Sequence, residues 1–265
     1  MKRMAGAGAA AMLAAASLAG CGSAGESASS DASPGRTKIT VFAAASLKTT
    51  FEKFEKHFEA KNPDIDVVFT FAGSQDLVTQ MDSGAPADVF ASASKKWMDT
   101  AESKDLVSSS PRIFARNSLE IAVAKGNPKQ ITGLDDLVSR PELVVVRCSR
   151  EVPCGALTEK VLSDAGDPKI EFDTEQNSVT DTLGLVKAGE ADVAFVYETD
   201  VASAPEKVDG VEIPEAASLA NEYPIAVTAE AERAKRNEAA QEFVDYVLSD
   251  DGQKALAEAG FQKGE

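Results

Sequence analysis

The chain has 265 residues, 43% of them hydrophobic but only 6% aromatic, enough for one large domain or two small ones cored by Val, Leu, Ile and Ala. Its 43 acidic residues against 27 Lys and Arg give a formal net charge of -16, which excludes the basic footprint a nucleic-acid partner needs. The same global field repels anions, so local dipoles would have to overcome it if the ligand were anionic.

Residues 1–20 read as a processing segment. Lys2 and Arg3 form a positive start, and Ala9 to Leu18 is an apolar run too short for a good membrane span. The run ends in Leu18-Ala19-Gly20-Cys21, which resembles a bacterial lipobox. That resemblance implies cleavage before Cys21 and its lipidation, with acyl chains anchoring the protein at ~0.8 kcal/mol per buried CH₂. An ordinary secretory signal with an incidental cysteine is the alternative. Residues 21–36 are rich in Gly, Ser and Ala without periodicity and read as a flexible tether. The folded part is expected from near Thr37.

From there strands and helices alternate. Strands are expected at 38–43, 66–71, 87–91, 118–124, 143–147, 192–197 and 223–228. Helices are expected at 46–61, 74–83, 95–103, 134–139, 155–165, 178–188, 230–249 and 252–259. The alternation predicts an α/β fold with largely parallel sheets. Turns fall at Asn62-Pro63, Gly84-Ala85-Pro86, Gly126-Asn127-Pro128 and Asp209-Gly210.

In the first unit, Ile39 to Phe42 runs through Ala43, Ala44 and Ala45 to Ser46. Leu47, Phe51, Phe54 and Phe58 then fall on one helical face. Ser46 is thereby placed as an N-cap. It either caps its own helix or helps offer free N–H groups to a small anion. Phe71-Ala72-Gly73-Ser74 repeats the pattern, Val152-Pro153-Cys154-Gly155 precedes another helix, and Asn177-Ser178-Val179 opens a third. Asp192 to Tyr197 is a buried-type strand ending in a phenol. Each feature has a plain reading as cap, core or rim, but strand-to-helix turns at two sheet edges could converge on one cleft. Trp97 is expected to pack helix 95–103 on its sheet, and His57, the only histidine, to lie at the surface.

Strands 118–124 and 223–228 bracket an α/β set of about a hundred residues, a usual domain size. Two domains joined by two crossovers would look like this, although a single sheet stays open. Cys148 and Cys154 lie outside the reducing cytosol and fit no C-x-x-C motif, so a local disulfide is expected, with two free thiols as the alternative.

The stretches ITVFAAASL (39–47), GAPADVFASASKKWMD (84–99), NSLEIAVAKGNP (117–128), EVPCG (151–155), VAFVYETD (193–200) and EYPIAV (222–227) together resemble the molybdate-binding proteins of ABC importers, over essentially all of 37–265. The resemblance implies a two-lobed periplasmic-binding-protein-like fold (type II), its ligand cleft between two α/β domains with two hinge crossovers. Lobe 1 would be 37–117 plus 225–265, and lobe 2 would be 118–224. It implies an oxyanion held by Ser46, Ser74, Cys154, Val179 and Tyr197, with Ala45 at the first turn. Cys154 and Val179 would act through backbone N–H groups, and the molybdenum would be held through its oxygens with no direct protein–metal ligand. It further implies a receptor without a cofactor, with an ABC permease and its ATPase as partners. The lipobox at Cys21 adds a lipid anchor on the extracytoplasmic face of the cell membrane. A monomer is the default for a hinged receptor, and tungstate, close to molybdate in size and charge, is expected as a second ligand. The sequence departs from the family at Asp76, which is expected to face solvent, and at Cys148 and Cys154.

An enzyme reading finds no G-x-S-x-G and no Walker A motif, and zinc sites lack ligands. A same-fold receptor for sulfate, thiosulfate or an organic anion, and an anion sensor without a transport partner, are the rival readings.

Overall fold

A computed structural model describes residues 35–264. The processing segment, Cys21 and all of the tether before residue 35 lie outside the described residues. Arg36, which the sequence assigns to the tether, pairs with Glu59 (2.8 Å) and Asp66 (3.3 Å).

The first half of the chain alternates β1 (Thr37–Ala44), α1 (Lys48–Lys61), β2 (Ile65–Ala72), α2 (Ser74–Asp82), β3 (Val89–Ala91) and α3 (Lys95–Ser103), then enters the long β4 (Arg112–Ala124). There follow α4 (Leu134–Ser139), β5 (Val145–Cys148), α5 (Pro153–Asp164), β6 (Thr174–Gln176), α6 (Val179–Ala188), β7 (Val193–Tyr197), α7 (Glu198–Ala202) and β8 (Val208–Val211). The chain returns through β9 (Ala220–Val227) and closes with α8 (Ala229–Arg233), α9 (Asn237–Leu248), α10 (Asp250–Glu258) and β10 (Gln262–Lys263). None of these helices is long and apolar enough to cross a membrane.

β1 pairs in parallel with β2 and β3, and β9 runs antiparallel between β3 and β4. β4 changes partners along its length. Arg112–Ser118 lies against β9, whereas Leu119–Val123 lies against β7, in the second sheet with β5, β6 and β8. The fold is therefore two-lobed, each lobe a sheet covered by helices, with β4 as the strand shared by both sheets and β9 returning the chain to the first.

Both faces of β1 are buried, as a covered parallel strand requires. Ile39, Val41 and Ala43 join the Phe51, Phe54, Phe58 stripe of α1 and Phe243 of α9. Phe42 faces the other way, onto Leu77 and Met98 of α2 and α3. A separate cluster, containing Ile121, Val145, Leu157, Leu183 and Phe195, fills the second lobe.

The structure differs from the sequence reading at several elements. β4 starts at Arg112 instead of 118, and β9 at Ala220 instead of 223. Helix 230–249 is two helices, because Lys235 takes a positive φ of 58° between α8 and α9. Asp209-Gly210 is no turn: it pairs with Val123 and Ala122 of β4, and a Cβ on Gly210 would overlap the Glu120 carboxylate. Ser46 is no N-cap. It lies inside a 3-10 turn, Ala45–Leu47, whose N-cap is Ala44, and its hydroxyl turns to Tyr223 instead. Ser178 does cap α6, accepting from the Asp181 N–H at 3.1 Å.

Cys148, at the end of β5, is disulfide-bonded to Cys154 in the first turn of α5, with their Cα atoms 5.8 Å apart. Behind this turn the buried Arg147 guanidinium pairs with Glu159 and Glu175 and stacks 4.2 Å from the Phe172 ring centre.

Candidate functional site

Four chain segments start beside one another where the lobes meet: the 3-10 turn Ala45–Leu47 and α2 from the first lobe, α5 and α6 from the second. The 3-10 turn, α2 and α6 follow strand ends closely, and α5 follows the four-residue turn 149–152 after β5. The 3-10 turn, α2 and α5 begin on Ala44, Gly73 and Val152, none of which supplies a side-chain cap. Their first N–H groups are left to a guest, at the positive ends of the helix dipoles. Gly73 is required here, since a Cβ would overlap the Gln75 amide and meet the Asn177 carbonyl that arrives from the facing lobe. Gly155 lets α5 start tightly against the Ser149 carbonyl.

These starts enclose one cavity of about 10 Å³. Ala45, Ser46, Ser74, Cys154, Val179 and Tyr197, six residues drawn from five separate stretches of sequence, all line it. The remaining walls are Ala44, Ala72, Gly73, Ala93, Val152 and Pro153, and no lining residue carries a charge. Asp76 is not among the walls; its carboxylate accepts from the neighbouring Gln75 amide at 3.2 Å.

Each hydroxyl at the cavity is engaged from behind. The Ala93 N–H donates to Ser74 Oγ (3.0 Å). Asn221 Nδ2 donates to the Tyr197 phenol oxygen (2.8 Å) and to the Pro153 carbonyl (3.0 Å). Ser46 Oγ lies 2.9 Å from the Tyr223 hydroxyl, whose oxygen accepts from Asn117 Nδ2 (3.4 Å). Asn117 Nδ2 also donates to Thr199 Oγ1 at 2.7 Å. Burial holds the phenols of Tyr197 and Tyr223 above their ordinary range, so both keep their protons.

Tyr223, Asn117 and Asn221 had no role in the sequence reading. Asn117 and Tyr223 sit inside the stretches NSLEIAV and EYPIAV, and Asn221 directly precedes the latter. What joins them to the cavity is the crossover of β4 and β9, which a list of elements does not contain.

Contacts between the lobes surround the cavity. Gln75 Nε2 donates to the Asn177 carbonyl (2.9 Å). Trp97 packs against the cluster of Phe42, Phe90 and Met98 that joins α3 to its sheet, as expected. In addition its indole N–H donates to the Glu151 carbonyl of the second lobe (2.9 Å), while Lys96 pairs with the Glu151 carboxylate (3.1 Å). No group of three or more His, Cys, Asp or Glu able to hold a metal ion occurs among the described residues.

Such an arrangement of neutral donors in a closed, water-poor site suits a small, fully deprotonated anion. Residues 39–262 match the family model described as bacterial extracellular solute-binding protein. The chain is 43% identical, over 94% of each sequence, to the molybdate-binding protein ModA of Mycobacterium tuberculosis. Two solved structures share the fold. The periplasmic molybdate-binding protein of Azotobacter vinelandii aligns at a TM-score of 0.69 and 19% identity, covering 84% of this chain and 98% of its own. The sulfate-binding protein SubI of M. tuberculosis aligns at 0.75 and 20%, covering 86% and 87%.

Proposed function

The chain belongs to the bacterial extracellular solute-binding proteins, with molybdate-binding relatives, and we propose that it is a molybdate receptor delivering its ligand to an ABC import permease and its ATPase. The observation that carries this reading is the uncharged cavity lined by Ser46, Ser74, Cys154, Val179, Tyr197 and Ala45. Lobe 1 would comprise 37–117 plus 225–265 and lobe 2 118–224, a division supported by the change of strand partners between Ser118 and Leu119 of β4.

Molybdate is a bare dianion near neutral pH and needs donors alone. The three hydroxyls and the N–H groups at Ala45, Cys154 and Val179 would supply them, and low local polarity would strengthen each bond. Phosphate carries a proton that an all-donor site leaves unpaired, at a cost of roughly 1–3 kcal/mol. Sulfate differs by size only, and tungstate matches molybdate closely enough to be taken as a second ligand. The receptor captures the anion with lobes apart, closes over it and docks on the permease without any chemical turnover. Lipidation at Cys21 would keep it, as a monomer, at the outer face of the cell membrane.

Thermal unfolding with molybdate, tungstate, sulfate and phosphate tests the reading. Ligand at 100 times its dissociation constant should stabilise the protein by about 2.7 kcal/mol. A shift with sulfate and none with molybdate would falsify the assignment.

A further inference from the structure

We propose that the groove between α1 and α6 is an outer oxyanion site, a capture point for small inorganic dianions on their way to the enclosed cavity; this rests on the molybdate reading above. The groove has a volume of about 320 Å³ and shares two walls, Ala45 and Ser46, with the cavity. Thr180, another of its walls, reaches the Ala45 carbonyl at 3.5 Å.

Its charge sets it apart. Lys48 and Lys53 line it from α1 and Lys187 from α6, against the carboxylates of Asp200 and Glu258. Lys48 has only a loose 4.0 Å contact with Glu52, Glu258 has its own lysine, Lys254, at 4.0 Å, and Lys53 and Lys187 join no ion pair among the described residues. Burial holds the Asp200 carboxyl up at about 7, so it opposes an incoming anion with only part of its charge at neutral pH. Three other grooves among the described residues lack this excess. One of 370 Å³ has three cations against three carboxylates, and those of 460 and 570 Å³ have none and one against four each.

A dianion approaching a protein of net charge -16 meets repulsion almost everywhere. A groove with excess lysine next to the cavity wall raises the local anion concentration where capture must occur. The lysines come from both lobes, so a dianion between them also relieves the repulsion that closure would create.

The test is stopped-flow binding of sodium molybdate to the full chain. It is followed by the fluorescence of Trp97, the only tryptophan, with the affinity measured in parallel by titration calorimetry. In the double variant Lys53→Gln/Lys187→Gln the association rate should fall about three- to tenfold at low ionic strength. Its salt dependence should flatten, with the dissociation rate and the unliganded melting temperature unchanged. The Arg double variant should keep the parental rate. So should Lys160→Gln/Lys169→Gln, which makes the same change in net charge outside the groove. Parental rates in the groove variant, or an equal fall in the remote one, would overturn the inference while leaving the molybdate reading intact. Absence of calorimetric molybdate binding in the parent would remove that reading and the inference together.

Discussion

A hydroxyl that accepts from the protein has its own proton left for a guest. At this cavity Ser74 accepts from the Ala93 N–H and Tyr197 from Asn221. Ser46 faces Tyr223, whose oxygen is already loaded by Asn117. Either hydroxyl of the Ser46–Tyr223 pair can donate, so the inward turn of a proton follows for Ser74 and Tyr197, from the Ala93 N–H and the Asn221 amide behind them. Tyr197→Phe and Ser74→Ala should each weaken molybdate binding by about 1.5–3 kcal/mol, the range for a hydrogen bond to a charged group. Asn221 lies outside the cavity lining, yet Asn221→Asp should weaken binding more than Tyr197→Phe does. A carboxylate there would take the phenol's proton and turn its lone pairs on the anion. Titration calorimetry on the three variants decides the matter, and parental affinity in Asn221→Asp would sink the orientation argument.

α7 shows how a short element can carry electrostatic weight. Its Asp200 carboxylate accepts the Tyr197 N–H at 3.1 Å, fixing the end of β7 that bears the cavity phenol. Burial raises this carboxyl to about 7, well above the ordinary carboxylate value of about 4. Folding therefore takes up a proton in that interval. The resulting stability is fully present below about pH 4 and is lost as pH rises to about 7. Asp200→Asn keeps an acceptor oxygen and does not titrate. It should exceed the parent in stability at pH 8 by on the order of 2–4 kcal/mol, with the gap closing toward pH 4. Glu120, also raised to about 7, first by burial and then by Glu198 and Glu212, acts in the same sense in both proteins and cancels in the comparison. Chemical denaturation at several pH values measures the gap, and a gap independent of pH would contradict the assignment. Elements like α7 were not legible in the sequence: ETDVA is five residues, too short to display a helical period, and β6 and β8 are shorter still. The Phe51, Phe54, Phe58 stripe and the runs of β1 and β7 were legible because burial on a regular period leaves a pattern. The small-residue turns were legible as turns with room for a ligand. That Ser46 is oriented by Tyr223, 177 residues away, and not by its own helix, has no local trace.

At the scale of the molecule, the cavity and the contacts around it are those of a closed receptor. A space of about 10 Å³ suits a water-sized solute, and a tetraoxyanion is larger, so loading requires the walls to part. The bonds that must break first include those crossing between lobes from Gln75 to Asn177, from Thr180 to Ala45, and from Trp97 and Lys96 to Glu151. If the lobes part, the motion is expected where the chain passes between them, at β4 and at the start of β9, because each lobe has its own core. The Trp97 bond forms only when the lobes meet, so its loss should act on the closed state alone. Trp97→Phe, which keeps a ring on the cluster under α3, should lower the unliganded melting temperature only slightly and weaken molybdate binding by about 0.5–1.5 kcal/mol, the worth of one hydrogen bond, through faster dissociation. In small-angle scattering, molybdate should reduce the radius of gyration of the parent, and the variant should need more ligand to reach the same compact limit. A radius that molybdate leaves unchanged would mean that the lobes do not hinge and that the anion reaches its donors by another route.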